Sequence, residues 1–178
     1  MVKKKLFSEI PRIEGGRLVL KALTQADRPA LRELADSPAV YRYLPTFLFE
    51  RKYADPGYVI ERLYDECLQD SIILGVYRDQ EFCGLAEMYG YREPIHKISV
   101  GYRLLERFWG QGIASEALGL MLDYLLGETE IEIVTASTMV ENRASAKVLR
   151  KNGFQLVVHA ADEDWGYDRP TLVDKWIR

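Results

Sequence analysis

The chain has 178 residues, and its 24 Lys and Arg against 27 Asp and Glu give a formal net charge of -3, with a sequence pI near 5.5. With 48% hydrophobic and 29% charged residues, the composition excludes a disordered or collagen-like chain and predicts one domain over residues 1–178. A dedicated DNA-binding protein would carry a basic face and a pI above about 9, so no direct DNA binding is expected.

The chain also lacks the patterns of secreted, membrane and metal-binding proteins. Cys67 and Cys83 are too few for a disulfide scaffold and have no His or Cys at metal-ligand spacing, so two buried thiols and no metal are predicted. The apolar runs are far shorter than the roughly 20 residues that cross a bilayer. The basic residues 1–5 are followed by charged residues rather than by the apolar core of a signal peptide. We therefore expect a soluble, cytoplasmic protein with no membrane partner.

The N-terminal third is predicted to be one strand followed by helices. Residues 17–23 have a β-branched centre after a Gly-Gly turn, which predicts a strand. Thr24 is a good helix cap, and apolar residues at helical spacing extend this helix to Ser37. A short helix over 39–44 and a longer one over 55–67, with proline at its first helical position, complete this part.

Strand-like segments follow in the middle of the chain. Residues 71–78, 82–91 and 97–105 are joined by short polar links, which predicts an antiparallel meander. Apolar residues then repeat every three or four positions over 112–126, which predicts an amphipathic helix.

The last part of the chain alternates strands and helices. A strand over 131–138 is followed by a helix over 142–152, which Gly153 is expected to end. Further strands are predicted over 154–159 and 171–177. No repeat, low-complexity segment or linker interrupts the chain.

The turn between the third strand of the meander and the next helix carries the clearest chemical pattern. It contains Gly110 and Gly112 and no acidic side chain, and the helix begins directly after it. Glycines let the backbone approach a ligand closely, and the unpaired N–H groups of the first helical turn point at an anion. The turn therefore predicts a pyrophosphate site, and a strand-to-helix turn with no ligand is the alternative.

Two other phosphate-binding patterns do not fit this turn. No lysine follows the glycines, so the spacing of a P-loop nucleotidase is missing. Ser115 stands where a Gly-x-Gly-x-x-Gly pattern has its third glycine. Neither of these nucleotide-binding motifs is therefore predicted.

Three segments together resemble the motifs of the GNAT N-acetyltransferases. They are Gly101-Tyr-Arg-Leu104, Trp109-Gly-Gln-Gly-Ile-Ala-Ser-Glu-Ala117 and the stretch from Asn142 to Phe154. Residues 10–20 and 36–45 resemble the RimJ/RimL-like branch of ribosomal-protein N-terminal acetyltransferases, so the resemblance covers nearly the whole chain. It implies the acyl-CoA N-acyltransferase fold, of α/β (α+β) class, with a mixed, mostly antiparallel central sheet of about six to seven strands flanked by helices.

The resemblance implies acetyl-CoA (coenzyme A) as the acetyl donor. The backbone amides of consecutive residues would bind its pyrophosphate, namely Trp109, Gly110, Gln111, Gly112, Ile113 and Ala114. Leu104 would offer main-chain hydrogen bonds to the pantetheine arm, and Asn142 would bond the cofactor. Asn142 is also a good helix N-cap by residue type, and the two roles are compatible.

The resemblance implies one candidate for the acid that protonates the departing thiolate. Many family members have a Tyr seven residues after the motif Asn in this role, but this chain has Leu149 there. Ser145, three residues after Asn142, matches a Ser that has been assigned the role within this branch. The alternative for Ser145 is a first-turn Ser that bonds the backbone.

The general base has two candidate locations. Glu87 lies in a strand that faces the acceptor in the family, and its alternative is an outward-facing strand residue. Asp164, in the acidic run with Asp162 and Glu163, is the other candidate catalytic carboxylate, and its alternative is a solvated acidic loop. The three acidic residues together would attract a cationic amine.

These features imply an N-acetyltransferase that moves the acetyl group from acetyl-CoA to a primary amine by direct attack in a ternary complex. The expected partner is an amine substrate, either a protein N-terminal α-amine or a small-molecule amine, and the chain is expected to be a monomer or a homodimer. A non-catalytic acyl-CoA-binding or regulatory module of the same fold is the alternative, which the missing Tyr at Leu149 favours.

Overall fold

Within residues 6–68 and 70–178, which the computed structural model describes, eight strands form one mixed sheet. The strands are β1 (Ile13–Gly15), β2 (Leu18–Lys21), β3 (Ile72–Arg78), β4 (Glu81–Arg92), β5 (Lys97–Leu104), β6 (Ile133–Met139), β7 (Gln155–Glu163) and β8 (Thr171–Ile177). The helices are α1 (Arg28–Ala35), α2 (Pro38–Tyr41), α3 (Pro56–Cys67), α4 (Ile113–Glu128) and α5 (Arg143–Lys151). The order of strands across the sheet is β1-β2-β3-β4-β5-β6-β8-β7.

The two halves of the sheet meet at a short parallel contact. Strands β1 to β5 pair antiparallel with their successive neighbours, and β8 pairs antiparallel with β6 and β7. β5 and β6 pair in parallel only over Lys97–Ser99 and Ile133–Thr135. β5 nevertheless continues to Leu104 and β6 to Met139. The two strands therefore separate beyond Ser99 and Thr135, and a cleft opens between them.

Helical segments cover both faces of the sheet. Tyr102 and Arg103 are successive residues of β5, so their side chains point to opposite faces. Tyr102 contacts Ser145 in α5, whereas Arg103 contacts Glu50 in the 3-10 turn Phe49–Arg51. α5 and α4, which contact each other, therefore lie on one face, and the segment that leads into α3 lies on the other.

The predicted fold is confirmed, including the antiparallel meander of β3, β4 and β5. The sheet has more strands than expected because β1 was not predicted: three residues are too few to show a period, and pairing with β2 defines the strand. β7 extends to Glu163 rather than ending at His159. Its pairing register shifts twice between Leu156 and Ala161, and this irregularity breaks the alternation that would have predicted the full strand.

Some expectations fall outside the described part of the chain. The basic residues 1–5 and the side chain of Cys67 are not described, whereas Cys83 is buried as expected. No described helix has the length and apolarity needed to cross a membrane. The described residues also form no group of three or more His, Cys, Asp or Glu side chains arranged to hold a metal ion.

Candidate active site

A cavity of about 1380 Å³ runs through the point where β5 and β6 separate. Both strands line it, together with the turn before α4 and the first turn of α5. The candidate residues from the sequence that border it are Leu104, Trp109, Gly110, Gly112, Ile113, Ala114, Asn142, Ser145, Glu87 and Asp164. Motifs that lie far apart along the chain therefore converge on one cleft.

The glycine turn before α4 has the geometry of an anion site. Gly110 and Gly112 have φ angles of +70° and +76°, a left-handed conformation that glycine adopts without strain. A Cβ at Gly110 would meet no atom within 4 Å, so the turn faces open space there, whereas a Cβ at Gly112 would lie 3.4 Å from Arg17 Nη2. Gly112 is the N-cap of α4, and the first N–H groups of a helix have no acceptor within it. These free donors, at the positive end of the helix dipole, favour a phosphate group.

Gln111 supports this turn from outside the cavity. Its backbone carbonyl accepts a hydrogen bond from Arg17. Its side-chain oxygen accepts from Arg78 at 2.7 Å, and its side-chain amide donates to the Arg107 carbonyl at 2.7 Å. Because these contacts occupy the Gln111 side chain, only the backbone of Gln111 is available to a ligand.

Trp109 connects the glycine turn to the end of β5. Its indole Nε1 donates a hydrogen bond to the Leu104 carbonyl oxygen at 2.9 Å, and 48% of the residue is exposed. A carbonyl oxygen has two lone pairs, so Leu104 can accept a second hydrogen bond from a ligand. The indole is thereby fixed at the border of the cavity.

The first turn of α5 brings two hydroxyl groups together. Asn142 Oδ1 accepts a hydrogen bond from the Ser145 backbone N–H at 3.1 Å, so Asn142 caps α5. Ser145 Oγ lies 2.7 Å from the Tyr102 hydroxyl, which comes from β5 on the opposite wall of the cleft. Burial raises the pKa of Tyr102 to about 12, although the Ser145 hydrogen bond acts to lower it. Tyr102 is therefore protonated at neutral pH.

A buried ion network lies on the other face of β5. Arg103 donates to Glu50 through two nitrogens, one of them 2.6 Å from Glu50 Oε2, and to Glu87 Oε2 at 2.7 Å. Tyr41 donates a further hydrogen bond to Glu50. Burial alone would lower the pKa of Arg103, but the charges of Glu50 and Glu87 raise that pKa above its usual value. Two carboxylates thus share one guanidinium, and the network keeps one excess negative charge.

Glu87 and Arg103 are the members of this network that border the cavity, and Glu87 is its only carboxylate there among the described residues. Glu87 lies opposite Gly101 on β5, close to the residues where β5 and β6 separate. Tyr89, two residues further along the same face of β4, also borders the cavity. Burial and the charge of Glu87 raise the pKa of Tyr89 to about 12. This face of the cavity therefore combines a carboxylate with an uncharged aromatic hydroxyl.

Two loops that border the cavity contact each other. The Thr46 backbone N–H and hydroxyl donate to the Trp165 carbonyl at 2.9 and 3.2 Å. The Tyr167 hydroxyl donates to the Leu44 carbonyl at 2.7 Å. A Cβ at Gly166 would lie 1.9 Å from Thr46 Oγ1, so the two loops can approach this closely only because residue 166 is glycine.

The acidic run does not form the expected loop, because Asp162 and Glu163 are the last residues of β7 and only Asp164 lies beyond the strand. Glu163 accepts from Trp165 Nε1 at 2.8 Å and is paired with Lys175. Asp164 is exposed, and its Oδ1 accepts from the Gly166 N–H at 2.9 Å. Glu163 and Asp164 border the cavity, but Asp162 is not among its lining residues.

Tyr102, Arg103 and Glu50 are site residues that the sequence reasoning missed. Tyr102 and Arg103 lie inside a motif that the sequence singles out, and strand alternation alone places them on opposite faces. An arginine in a buried strand also requires a carboxylate partner. That requirement was readable from the sequence, but the identity of the partner was not, because Glu50 is far away along the chain.

Comparison with known proteins gives a match to one family model. Residues 17–155 match the model for the acetyltransferase (GNAT) domain. The uncharacterized N-acetyltransferase YoaA from Bacillus subtilis is 25% identical over 149 residues, which are 82% of this chain and 83% of that protein.

Solved structures show the same fold at lower sequence identity. An acetyltransferase of the GNAT family from Bacillus anthracis has a TM-score of 0.81 at 19% identity, covering 94% of this chain and 98% of the other. RimL, a ribosomal L7/L12 α-N-protein acetyltransferase in complex with coenzyme A, has a TM-score of 0.80 at 20% identity, covering 94% and 97%.

Proposed function

The chain belongs to the GNAT acetyltransferase family and is an acetyl-CoA-dependent acetyltransferase, and from this premise we propose that it acetylates a primary amine bound on the Glu87 side of the cleft. The observation that carries the proposal is the pairing of two carboxylates, Glu50 and Glu87, with one guanidinium in a buried network of which Glu87 and Arg103 border the cavity. The relative RimL is named for a protein α-amine, which supports an amine acceptor for this chain.

The residues present fit the acetyl donor. Acetyl-CoA supplies the acetyl group as an activated thioester when it is bound. The open space at Gly110 and the free N–H groups at the start of α4 suit its pyrophosphate. We assign pyrophosphate binding to the backbone of residues 109–114, and pantetheine contacts to Leu104 and to Asn142, which also caps α5.

Glu87 is assigned the role of general base, which accepts a proton from the acceptor amine. Its Oε2 is held by Arg103, which fixes the direction of the carboxylate, while Glu50 accepts from two other nitrogens of the same guanidinium. An α-amine, with a pKa of about 7.7–8.0, needs less help from a base than a lysine amine, with a pKa of about 10.4. Positioning beside the thioester therefore contributes much of the rate.

Asp164 is assigned a different role from Glu87. It lies on the exposed rim, and one of its oxygens is used within its own turn. Water screens such a carboxylate strongly, so its contribution is attraction of a cationic acceptor rather than a directed proton transfer.

The function is tested by thiol release from acetyl-CoA with a panel of acceptors, comprising peptides with free N-termini, lysine-containing peptides with blocked N-termini, and small primary amines. We expect release with at least one class. Protein that binds coenzyme A but acetylates none of them contradicts the proposal.

The role of Glu87 is tested with Glu87→Gln. The amide keeps the size of the side chain but accepts no proton, so kcat should fall about 100-fold while coenzyme A affinity stays unchanged. Glu81→Gln, on the same strand but in an exposed ion pair with Arg107, is the matched control and should retain activity. Equal kcat values for the two variants would remove the assignment.

A further inference from the structure

The hydroxyl pair formed by Tyr102 and Ser145 spans the cleft on the face opposite Glu87. The two oxygens are 2.7 Å apart, and either can donate the proton of that hydrogen bond. Both residues border the cavity. Tyr102 follows Gly101, which lies opposite Glu87 in the β4–β5 pairing. A thioester at the strand separation would therefore have the amine-binding carboxylate on one side and this pair on the other.

The reaction requires a hydrogen-bond donor on that second side. As the amine nitrogen bonds to the thioester carbonyl carbon, the C–S bond breaks and sulfur departs with the bonding electron pair. Leu149, at the position where many family members have Tyr, is 1% exposed and has no hydroxyl. Tyr102 and Ser145 border the cavity on this face, and a hydrogen bond joins their hydroxyl groups.

The geometry favours the phenol as the group that contacts sulfur. A phenol is a stronger hydrogen-bond donor than an aliphatic alcohol because its proton is more acidic. Ser145, held at the start of α5 by the Asn142 cap, can donate to the Tyr102 oxygen. The Tyr102 proton can then turn from the Ser145 carbonyl oxygen, which lies 3.4 Å from the Tyr102 hydroxyl, and point into the cavity. A donor chain of this kind strengthens the terminal hydrogen bond.

We propose that the Tyr102 hydroxyl donates a hydrogen bond to the departing sulfur and that Ser145 is the positioning residue that orients it, an inference that rests on the proposed function. The sulfur leaves as a thiolate stabilised by this hydrogen bond, and it takes its proton from solvent. Tyr102 keeps its own proton throughout, consistent with the high pKa that burial gives the phenol. The amine proton passes to Glu87, so charge and protons balance.

The test compares the binding of coenzyme A and desulfo-coenzyme A, which has hydrogen in place of the thiol group, by calorimetry. The wild-type protein should bind coenzyme A about tenfold more tightly. Tyr102→Phe should bind both equally, with desulfo-coenzyme A affinity unchanged and kcat about tenfold lower. Tyr124→Phe, which removes a buried hydroxyl from α4 outside the cavity lining, is the control and should keep the wild-type preference.

Ser145→Ala separates positioning from direct contact. It should retain part of the preference for coenzyme A over desulfo-coenzyme A. The variant that combines Ser145→Ala with Tyr102→Phe should behave like Tyr102→Phe alone, because both changes act through the same hydrogen bond. A full preference in Tyr102→Phe, or its complete loss in Ser145→Ala alone, would overturn the proposal and make Ser145 the direct donor.

A second measurement leaves the Tyr102 side chain with its ring and hydroxyl and does not depend on turnover. With 3-fluorotyrosine incorporated at position 102, the fluorine resonance should shift on adding coenzyme A and not on adding desulfo-coenzyme A. Equal shifts would contradict the contact with sulfur. Failure of the wild-type protein to bind either compound would instead contradict the cofactor site, and binding without acetylation of any amine would contradict the proposed function alone.

Discussion

The two ends of the cleft are built in different ways. At the proposed pyrophosphate end, the turn of residues 109–114 offers backbone groups and two left-handed glycines. At the proposed acceptor end, Glu50, Glu87 and Arg103 come from separate segments and interact through buried charged side chains. The difference shows that a backbone site is encoded in one contiguous motif, whereas a side-chain site exists only once distant segments are packed together.

The two ends should also respond differently to substitution. A buried ion network is part of the core, so damage to it reduces the stability of the whole protein. A glycine turn that faces open space carries little of the packing energy, so damage to it should affect ligand binding more than stability.

The largest effect is expected for Arg103→Met. The Arg103 side chain is 2% exposed, and its loss leaves Glu50 and Glu87 buried without a counter-charge, which should lower the free energy of unfolding by about 3–5 kcal/mol. Urea unfolding measures this change. Arg107→Met, at an arginine that is 44% exposed with only surface ion pairs, should cost about 1 kcal/mol or less. Similar costs for the two variants would remove the contrast between the two ends.

Gly112→Asp should have the largest effect at the other end of the cleft. Its carboxylate would lie beside the proposed pyrophosphate site. Repulsion between the two negatively charged groups should weaken coenzyme A binding about 100-fold or more. Gly112→Ala has the same unfavourable φ of +76° without the charge, and it separates strain from repulsion. Equal losses of affinity in the two variants, measured by calorimetry, would show that charge is not the cause.

Gly166→Ala should produce an intermediate effect confined to the acceptor end. The φ angle of +83° and the 1.9 Å approach of Thr46 Oγ1 to the added Cβ should cost about 1–3 kcal/mol and separate the two loops. The acceptor KM should rise while coenzyme A affinity stays the same. Gly127→Ala, where a Cβ meets no atom within 4 Å, is the control. A change in coenzyme A affinity in Gly166→Ala would show that the two ends are coupled.

Trp109→Phe should have the smallest effect. Phenylalanine keeps an aromatic ring but loses the N–H donor to Leu104, which should cost about 0.5–1.5 kcal/mol of stability. Coenzyme A affinity should change by less than threefold, because the turn binds through its backbone. A larger loss of affinity would make the indole itself part of the binding site.

Much of the fold was predictable because its patterns are local. The period of α4, the proline-started α3 and the meander of β3 to β5 each depend on residues close together along the chain. β1 and the second half of β7 were not predictable, because pairing with β2 and β8 defines them rather than any pattern of their own. Cooperative pairing across the sheet overrides weak local preference in such strands.

The sequence by itself determined the family resemblance, the glycine turn and the N-cap of α5, because glycine conformation, helix capping and backbone anion binding depend on neighbouring residues. Only the tertiary structure decided that Arg103 takes both Glu50 and Glu87, and that Tyr102 meets Ser145 across the cleft. The physical reason is that charges and hydroxyls act over a few ångströms in space. The segments that bring them together are separated by tens of residues in sequence, and only the packed sheet fixes which of them meet.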